Sequence, residues 1–351
     1  MLRLHEKEFK AFKLKELFVP ERGNAKNIGN KKDGNDIVLI SAIDSNNGYK
    51  KSTEYEGEKI FKNTYAINNN GNGLCLAYYH EYEFIATSDV TILHCLNNNL
   101  RNAYVAKYII TTIQQQKPKY SYGYKMSESR LMNQVILLPV NESGYLDYDF
   151  MEQYIKEKET QLLDEYKRFA QKQLSKIEYK EIKKLEECEW KGFRVRELFN
   201  IESTASGIDR NKLDNRLGEL PYITRTEYNN GVSGFYIKQN NYNIDRGNCI
   251  TVGLDTQTSF YQPISFYTGQ NIQIFRNIYM NEYNAVIILA PLKNTLSIFD
   301  WGSNGATLKR LGRAKIFLPS QITGEPDYEY MEQYVKNIMI EKLTEYLKFI
   351  E

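Results

Sequence analysis

The chain repeats itself over about half of its length. The phrase DYDFMEQY at residues 147–154 returns as DYEYMEQY at residues 327–334, an offset of 180 residues. Three other stretches recur at similar offsets: FKAFKLKELF (9–18) as WKGFRVRELF (190–199), VILLPVNESGYLDY (135–148) as KIFLPSQITGEPDY (315–328), and YGYKMSESRL (122–131) as WGSNGATLKRL (301–311). A period this long equals a whole domain and exceeds the repeat of any solenoid. The sequence therefore predicts two related domains with similar ends and divergent middles.

Composition is that of an ordinary globular protein. Of the 351 residues, 42% are hydrophobic and 26% are charged, and each predicted domain is large enough to bury a core. The opening sequence MLRLHEKEFKAFK is too charged for a signal peptide, and no apolar run nears the length that spans a bilayer. We therefore expect a cytoplasmic location. The four cysteines form no C-x-x-C pair and the three histidines are scattered, so neither a zinc site nor a disulfide framework is predicted.

Charge alternates along the chain. Residues 1–140 carry a net charge of +5, residues 141–189 carry −4, residues 190–322 carry +5 and residues 323–351 carry −4. The overall charge of +2 conceals this order of basic domain, acidic arm, basic domain and acidic arm. Basic domains suit a polyanion, whereas acidic arms are poorly suited to phosphates and are expected to bind protein.

Strand-like runs dominate each domain and predict an α+β fold. They are rich in Val, Ile, Thr, Tyr and Phe and are bounded by Asn, Gly and Asp: DIVLISAI, EFIATSDVTILHCL and VILLP, then ELPYIT, CITVGL, ISFYTG, IQIF and AKIFLP. Apolar residues at 102–116 and 281–296 recur with a spacing nearer 3.6 than 2, which predicts a helix in each domain.

Each domain is followed by a predicted helical arm. Asp147 suits an N-cap, and no Gly or Pro interrupts the chain from Tyr148 to about residue 187, enough for a helix of roughly 60 Å. Apolar stripes run along both arms, at Met151, Ile155, Leu162 and Phe169 and again at Met331, Val335 and Leu343. A helix that joins two domains needs another helix to cover its stripe, so we expect the arms to pair as long antiparallel coiled-coil-like helices with a pseudo-two-fold repeat. The predicted division is a domain at 1–146, a spacer helix at 147–188, a domain at 189–326 and a spacer helix at 327–351.

The sequence carries no catalytic signature. It has no G-x-G-x-x-G after a strand, no G-x-x-x-x-G-K-[ST], no G-x-S-x-G and no N-P-P-[YF] tetrapeptide. The stretch EPDYEY at 325–330 resembles a nuclease carboxylate pair but lacks the lysine that would follow it, so helix capping explains it better. The chain is not expected to be an enzyme that works alone.

Polar, basic and aromatic residues gather instead in the divergent middles. The turn-rich stretches are KKDGND, SNNGYKKS, NNNGNG and QQKPKYSYGYK in the first domain, and SGIDRNKLDNR, TRTEYNNG, LDTQTSFYQ and WGSNGATLKR in the second. Arg, Lys, Asn and Gln are the side chains that grip phosphates and bond purine edges. Asn-rich loops also arise from turn preference alone, so at any single residue both interpretations remain open.

Four stretches of the second domain carry a resemblance to a known family. PYITRTEYNNGVSGF (221–235), GLDTQTSFYQ (253–262), FYTGQNIQI (266–274) and WGSNGATLKRL (301–311) closely resemble specificity subunits of type I restriction–modification systems, and most nearly their BcgI-like branch. The resemblance implies two target recognition domains joined by paired helices, each domain reading one half of a bipartite DNA site in the major groove. It implies that the methyltransferase and nuclease centres lie in partner subunits that dock on the helices. No cofactor is then expected in this chain, whereas S-adenosylmethionine, and Mg²⁺ for cleavage, would belong to those partners.

Candidate DNA-binding residues follow from the loops. In the second domain they are Arg210, Arg225, Thr226, Tyr228, Asn229, Gln257, Thr258, Asn304 and Arg310. Of these, Asn229 and Gln257 suit adenine edges and Arg225 suits guanine or phosphate. In the first domain they are Lys50, Lys51, Lys117, Lys119, Tyr122, Lys125 and Arg130, expected to grip phosphate. The stripe residues of the arms, from Met151 to Leu343, are the candidates for partner binding.

Two other classes of function stay open at this point. One is a two-domain scaffold that binds protein or RNA without specificity for duplex DNA. The other is a fused enzyme whose active site has no recognised motif, which the missing signatures disfavour.

Overall fold

The chain forms two compact units. The structure is a computed structural model that describes residues 2–26, 29, 31–71, 73–120, 126–253, 255–297 and 308–350. The units are Met1–Tyr166 and Lys167–Glu351, and they are described separately below.

The first unit mixes short strands with helices. Its strands are β1 (Phe9–Lys13), β2 (Phe18–Arg22), β3 (Asp33–Ile40), β4 (Tyr49–Thr53), β5 (Thr64–Asn68), β6 (Ala77–His80), β7 (Phe84–Ala86), β8 (Val90–Cys95) and β9 (Val135–Pro139). Its helices are α1 (Ala103–Gln114), α2 (Glu128–Met132) and the start of α3 (Tyr148–Leu174).

The second unit contains the same sequence of parts. Its strands are β10 (Trp190–Arg194), β11 (Asn200–Ser203), β12 (Leu217–Ile223), β13 (Val232–Tyr236), β14 (Cys249–Gly253), β15 (Ser259–Gln262), β16 (Tyr267–Thr268), β17 (Ile272–Arg276) and β18 (Lys315–Pro319). Its helices, after the end of α3, are α4 (Val195–Leu198), α5 (Asn284–Leu296), α6 (Leu308–Arg313) and α7 (Tyr328–Phe349). The α+β prediction and the helices expected at 102–116 and 281–296 are confirmed.

Strand pairing is the same in both units. A four-stranded sheet has the order β2-β8-β5-β6 in the first unit and β11-β17-β14-β15 in the second. A three-stranded sheet follows as β4-β3-β7 and β13-β12-β16, with its last pair parallel in each case. The two similar ends of each unit, β1 with β9 and β10 with β18, pair as antiparallel ribbons. The duplication therefore extends through the middles, where the sequence alone showed little similarity, because strand order and turns persist while the exposed side chains differ.

Equivalent residues form the main core of each unit. In the first unit the core includes Phe18, Tyr65, Ile67, Ile109, Ile136 and Met151, and in the second it includes Phe199, Ile250, Val252, Ile288, Ile316 and Met331. Met151 and Met331 are fully buried, so the methionine of the repeated phrase is a core residue in both units.

The acids of the repeated phrase explain why it recurs. Asp147 Oδ1 accepts the backbone N–H of Phe150 at 2.9 Å, which confirms the predicted N-cap, and Asp327 caps α7 in the same way. Inside the phrase, Glu152 Oε2 accepts Asn102 Nδ2 at 2.8 Å, and Asn102 in turn caps the start of α1.

The second unit repeats this contact between a capping asparagine and the arm helix. Glu332 Oε2 accepts Asn281 Nδ2 at 2.6 Å, and Asn281 Oδ1 accepts the N–H groups of Tyr283 and Asn284 at the start of α5. We call the two contacts, Asn102–Glu152 and Asn281–Glu332, the Asn–Glu junctions. Each junction ties the first turns of an arm helix to the start of a helix in its domain.

The first spacer helix is shorter than predicted. It ends at Leu174, whereas the sequence predicted helix to about residue 187. The chain beyond it is extended and lies on α7, whose amide side chains bind its peptide groups. Gln333 Nε2 donates to Glu178 O at 2.8 Å, and Asn337 binds both the N–H and the C=O of Lys180 at 3.2 and 2.7 Å. These bonds replace the helical ones, because they satisfy the same peptide groups from a distant part of the sequence.

Candidate DNA-recognition surface

The same tight turn lies at one end of both domains. It is formed by Ser-Asn-Asn-Gly at residues 45–48 and by Tyr-Asn-Asn-Gly at residues 228–231, and in each case both Asn residues and the Gly have positive φ. The backbone bonds match as well, since Ser41 N donates to Gly48 O at 2.9 Å and Thr224 N donates to Gly231 O at 2.8 Å. Asn and Gly tolerate this conformation best, so the turn itself accounts for the asparagines.

Three loops meet at this end of the second domain. They are residues 224–231 and 269–271 and the described part of the β14–β15 hairpin, residues 255–258, and together we call them the second tip. Gly269 N donates to Ile223 O at 2.8 Å, which holds the third loop against the first. The hairpin joins them because Arg225 forms a salt bridge with Asp255, which also accepts Asn271 Nδ2 at 3.1 Å.

The second tip gathers most of the candidates that the sequence singled out in this domain. Arg225, Tyr228 and Asn229 are exposed, with Tyr228 at 76% exposure, and Thr226 Oγ1 accepts the N–H of Tyr228 at 3.3 Å. Gln257 is half-buried, and its φ of +57° puts it at the bend of the hairpin. The described residues of the second tip therefore display polar donors and acceptors and a single arginine at one end of the domain.

Two other candidates of the second domain lie elsewhere. The guanidinium of Arg210 stacks over the ring of Tyr236 at 4.6 Å and donates to Asn215 Oδ1 at 3.1 Å. Tyr236 is at the end of β13 opposite to the turn at 228–231, so Arg210 is not part of the second tip. Arg310 is exposed on α6, which packs against α4 at the base of the domain.

The described candidates of the first domain lie on three different elements. Lys50 and Lys51 lie on β4, and Lys51 Nζ is already bound, to Lys31 O and to Asp33 Oδ1 at 2.8 Å. Lys117 and Lys119 are exposed on a 3-10 turn after α1. Arg130 is exposed on α2 and corresponds to Arg310 of the second domain. The remaining candidates, Tyr122 and Lys125 here and Asn304 in the second domain, lie outside the described residues.

Lys31 is a charge that sequence reasoning missed. Its side chain is only 1% exposed and forms salt bridges with Glu56, at 2.7 Å, and with Glu58. Burial works against the charged form of Lys31, but the hydrogen bonds that it donates to the two carboxylates, together with their charges, outweigh burial and raise the pKa of Lys31 above its usual value. Lys31 is therefore committed to the fold and is not offered to a phosphate.

The first domain has an equivalent tip, formed by residues 41–48, 69–71 and 87–89. It keeps the Asn–Asp hydrogen bond of the second tip, but the Asn and the Asp have exchanged loops. Asn70 Nδ2 donates to Asp89 Oδ1 at 3.3 Å, joining the hairpin to the third loop as Asn271 and Asp255 do in the second domain. The position of Arg225 is occupied by Ala42. Sequence reasoning missed both bridges because each joins two loops that are 16 or 19 residues apart in sequence. The stretch LDTQTS alone does not show that its acid holds an arginine.

The arm residues proposed for partner binding fall into two sets. Met151, Met331 and Val335 are buried within their own units, so these three side chains stabilise the fold. Leu162 and Phe169 are 69% and 52% exposed, and Ile155 and Leu343 are half-buried. The second set therefore exposes part of its apolar surface on the helices.

Two features are absent from the residues that the structure describes. Among them, no three His, Cys, Asp or Glu side chains come together in a way that could hold a metal ion. Within the same ranges, no helix is long and apolar enough to cross a membrane.

Comparison with known proteins identifies the class to which these two domains belong. The model of the type I restriction modification DNA specificity domain matches the chain twice, at residues 6–168 and 187–348. The chain belongs to this family, and the duplication seen in the fold is one family domain per unit. It is a DNA sequence-specificity subunit and is not itself an enzyme.

Individual relatives agree with this membership. The type II restriction enzyme BgcI specificity subunit S.BcgI of Heyndrickxia coagulans is 26% identical over 328 residues, covering 90% of this chain and 92% of the relative. The crystal structure of the S subunit of a type I restriction–modification system from M. genitalium matches with a TM-score of 0.52 and 14% identity, covering 99% of this chain and 93% of that one. The structural match supports the two-domain fold, and the resemblance to the BcgI-like branch stated from the sequence is confirmed.

Proposed function

We propose that each domain reads one half of a bipartite DNA site through its tip in the major groove. The observation that carries this proposal is the pair of equivalent tips, in which the turn and the Asn–Asp bridge persist while the outward side chains differ. Such a pair suits two different half-sites, because a shared frame positions the contacts and divergent side chains select the bases. The alternative of a protein- or RNA-binding scaffold is favoured by no feature of the described residues.

The arms in this proposal set the gap between the half-sites and dock the partner subunits. The exposed apolar residues Leu162 and Phe169 and the net charge of −4 on residues 141–189 support a protein-binding role for α3. The methyltransferase and nuclease centres then lie in separate chains, together with the S-adenosylmethionine and Mg²⁺ that they use. The complex works in the cytoplasm, where the DNA is.

Binding to a random duplex pool tests the reading function. The full-length chain, alone and with a co-expressed methyltransferase subunit, should enrich two fixed blocks separated by a gap of constant length. Enrichment of one continuous block, or of none, would contradict a bipartite reader. Equal binding to RNA or to single strands would favour the alternative.

An insertion in α3 tests whether the arm determines the gap. Four helix-forming residues inserted after Lys158 lengthen the helix by roughly 6 Å, which is close to two base pairs at about 3.4 Å each. We expect the selected gap to change by about two base pairs while both half-sites stay the same. The matched control places the same four residues after Asn240, in an exposed loop of the second domain, and should leave the gap unchanged. An unchanged gap in the α3 variant would disprove the role of the helix as a ruler.

A further inference from the structure

The Arg225 side chain is held in place before any DNA arrives. Its Nη1 is bonded to Asp255 Oδ2, and Asp255 Oδ2 also accepts Asn271 Nδ2 at 3.1 Å. Its stem passes close over Gly253, where an added Cβ would lie 3.3 Å from Arg225 Cγ and 2.7 Å from Thr258 Oγ1. The bond and the close passage together fix the direction of the guanidinium, while 42% of the side chain remains exposed.

A fixed and neutralised arginine is suited to a base rather than to a phosphate. The carboxylate of Asp255 cancels the charge of Arg225 as seen from a distance, so the pair attracts a phosphate anion weakly. The planar fork keeps N–H donors that Asp255 does not use, and such donors match the two acceptors on the major-groove edge of guanine. A guanidinium already oriented loses little conformational freedom on binding, which makes its selection of a base sharper.

We infer that Arg225 reads a guanine in the second half-site and that Asp255 is the positioning residue that directs it there and keeps it from the phosphates. The inference rests on the proposed function, because it names the base contact of a tip already proposed to enter the major groove. It resolves the choice between guanine and phosphate that the sequence left open for Arg225. The inference also gives Asp255, an acidic residue in a domain of net positive charge, a role in sequence specificity.

Two substitutions separate the roles of the pair in the full-length chain. Arg225→Ala should reduce the preference for guanine at one base pair by roughly tenfold and leave the dependence of affinity on salt unchanged. Asp255→Asn keeps the shape of the side chain but removes its charge, so the freed arginine should bind phosphate. This variant should lose the same base preference, and its plot of log affinity against log salt should steepen by about 0.9.

A double variant and a matched control show that the effect passes through Arg225. In Arg225→Ala/Asp255→Asn the salt slope should return to the wild-type value, because no arginine remains to be freed. Asp89→Asn in the first domain makes the same charge change at the equivalent tip, where Ala42 stands in place of the arginine. It should alter neither the salt slope nor the preference in the second half-site.

A further variant tests the inference even if Asp255→Asn does not fold. Asn271→Gly removes the second bond to Asp255, and glycine accepts the φ of +61° at this position without strain. It should weaken the same guanine preference without any change in the salt slope.

Several results would overturn the inference. An Arg225→Ala variant whose salt slope becomes shallower by about 0.9 would make Arg225 a phosphate contact. An Asp255→Asn variant with unchanged base preference, or a double variant as steep as the single one, would remove the role of Asp255 as a positioning residue. If the wild-type chain selects no sequence at all, the proposed function itself fails and this inference fails with it. If the wild type and every variant select the same sequence, the proposed function stands and only the inference about Arg225 and Asp255 fails.

Discussion

The two tips stand on the same frame and differ in where the acid lies. In the first domain the hairpin supplies the amide, Asn70, and the third loop supplies the acid, Asp89. In the second domain the hairpin supplies the acid, Asp255, and the third loop supplies the amide, Asn271. Either order closes the same bridge between two loops, so the bridge can persist while the position of the negative charge changes.

That change decides whether the tip can hold an arginine. The acid of the second hairpin faces the position of Arg225 and binds it, whereas the first domain has Ala42 there and its acid on the other loop. The comparison teaches that the scaffold of the tip and its recognition chemistry vary independently. Equivalent substitutions in the two frames should therefore destabilise their own domains to the same extent, and a substitution in one tip should affect one half-site only.

Truncation of a buried core side chain should cause the largest loss of stability of these predictions, and the loss should be nearly equal in the two units. Met151→Ala and Met331→Ala each remove a fully buried side chain at equivalent positions, so each should reduce the free energy of unfolding by about 2–5 kcal/mol. Hydrogen exchange followed by peptide mapping should find the loss of protection in the unit that carries the substitution. Leu162→Ala, at an exposed position on α3, is the control and should stay within about 0.5 kcal/mol. Strongly unequal effects of the two methionine variants would break the equivalence of the cores.

Acid should destabilise the first domain more than the second. His80 is buried against the rings of Tyr78, Tyr82 and Phe84, and this burial lowers its pKa from the usual 6.5 to about 4. Below pH 6.5 this histidine is therefore protonated in the unfolded chain but stays neutral in the folded domain. The stability that it contributes is complete above pH 6.5 and is lost as the pH falls towards 4. The loss should reach about 3 kcal/mol.

The second domain provides the control substitution for this prediction. It has Gln262 at the place of His80, so His80→Gln should remove the extra loss between pH 6.5 and 4. Denaturant melts at several pH values, with protection of each domain followed separately, measure the difference. An identical pH dependence of wild type and variant would show that His80 does not cause the acid sensitivity.

Transplanting the second tip should have the smallest and most specific effect. Ala42→Arg, Asn70→Asp and Asp89→Asn together place the arginine, its acid and its amide in the first domain. The triple variant should gain a preference for guanine at one base pair of the first half-site, worth about 1–3 kcal/mol, and leave the second half-site alone. The control omits Asn70→Asp, so its arginine has no acid and should strengthen binding to all DNA alike. Selection from random duplex pools distinguishes the two, and a triple variant that behaves like its control would show that the acid alone does not direct the arginine.

The parts of the fold that the sequence predicted are those that depend on nearby residues. The helices at 102–116 and 281–296 follow from local apolar spacing, and the cap at Asp147 follows from residues within one turn. The end of α3 at Leu174 could not be predicted from nearby residues. The side chains that hold the extended chain beyond it, Gln333 and Asn337, are more than 150 residues away in sequence.

Recognition residues show the same limit. Arg225 was predicted from its residue type and its position in a loop. Its partner Asp255 was not, because it is 30 residues away and basic residues were sought in a domain of net positive charge. Asn229 was a candidate for adenine edges, with turn preference left open as the other interpretation, and its positive φ shows that the turn itself favours asparagine there. Residue type therefore predicts a candidate, whereas pairing between loops decides what the candidate can do.

The Asn–Glu junctions have a consequence for how such chains can change over generations. Because the same asparagine and the same glutamate join each domain to its arm, a crossover between related genes within the repeated phrase would leave a complete joint on both sides. The exchanged domain would form the same Asn–Glu hydrogen bond with the arm helix of the recipient chain. The recombinant chain would then recognise a new DNA sequence without further changes in its arms or in its partner subunits.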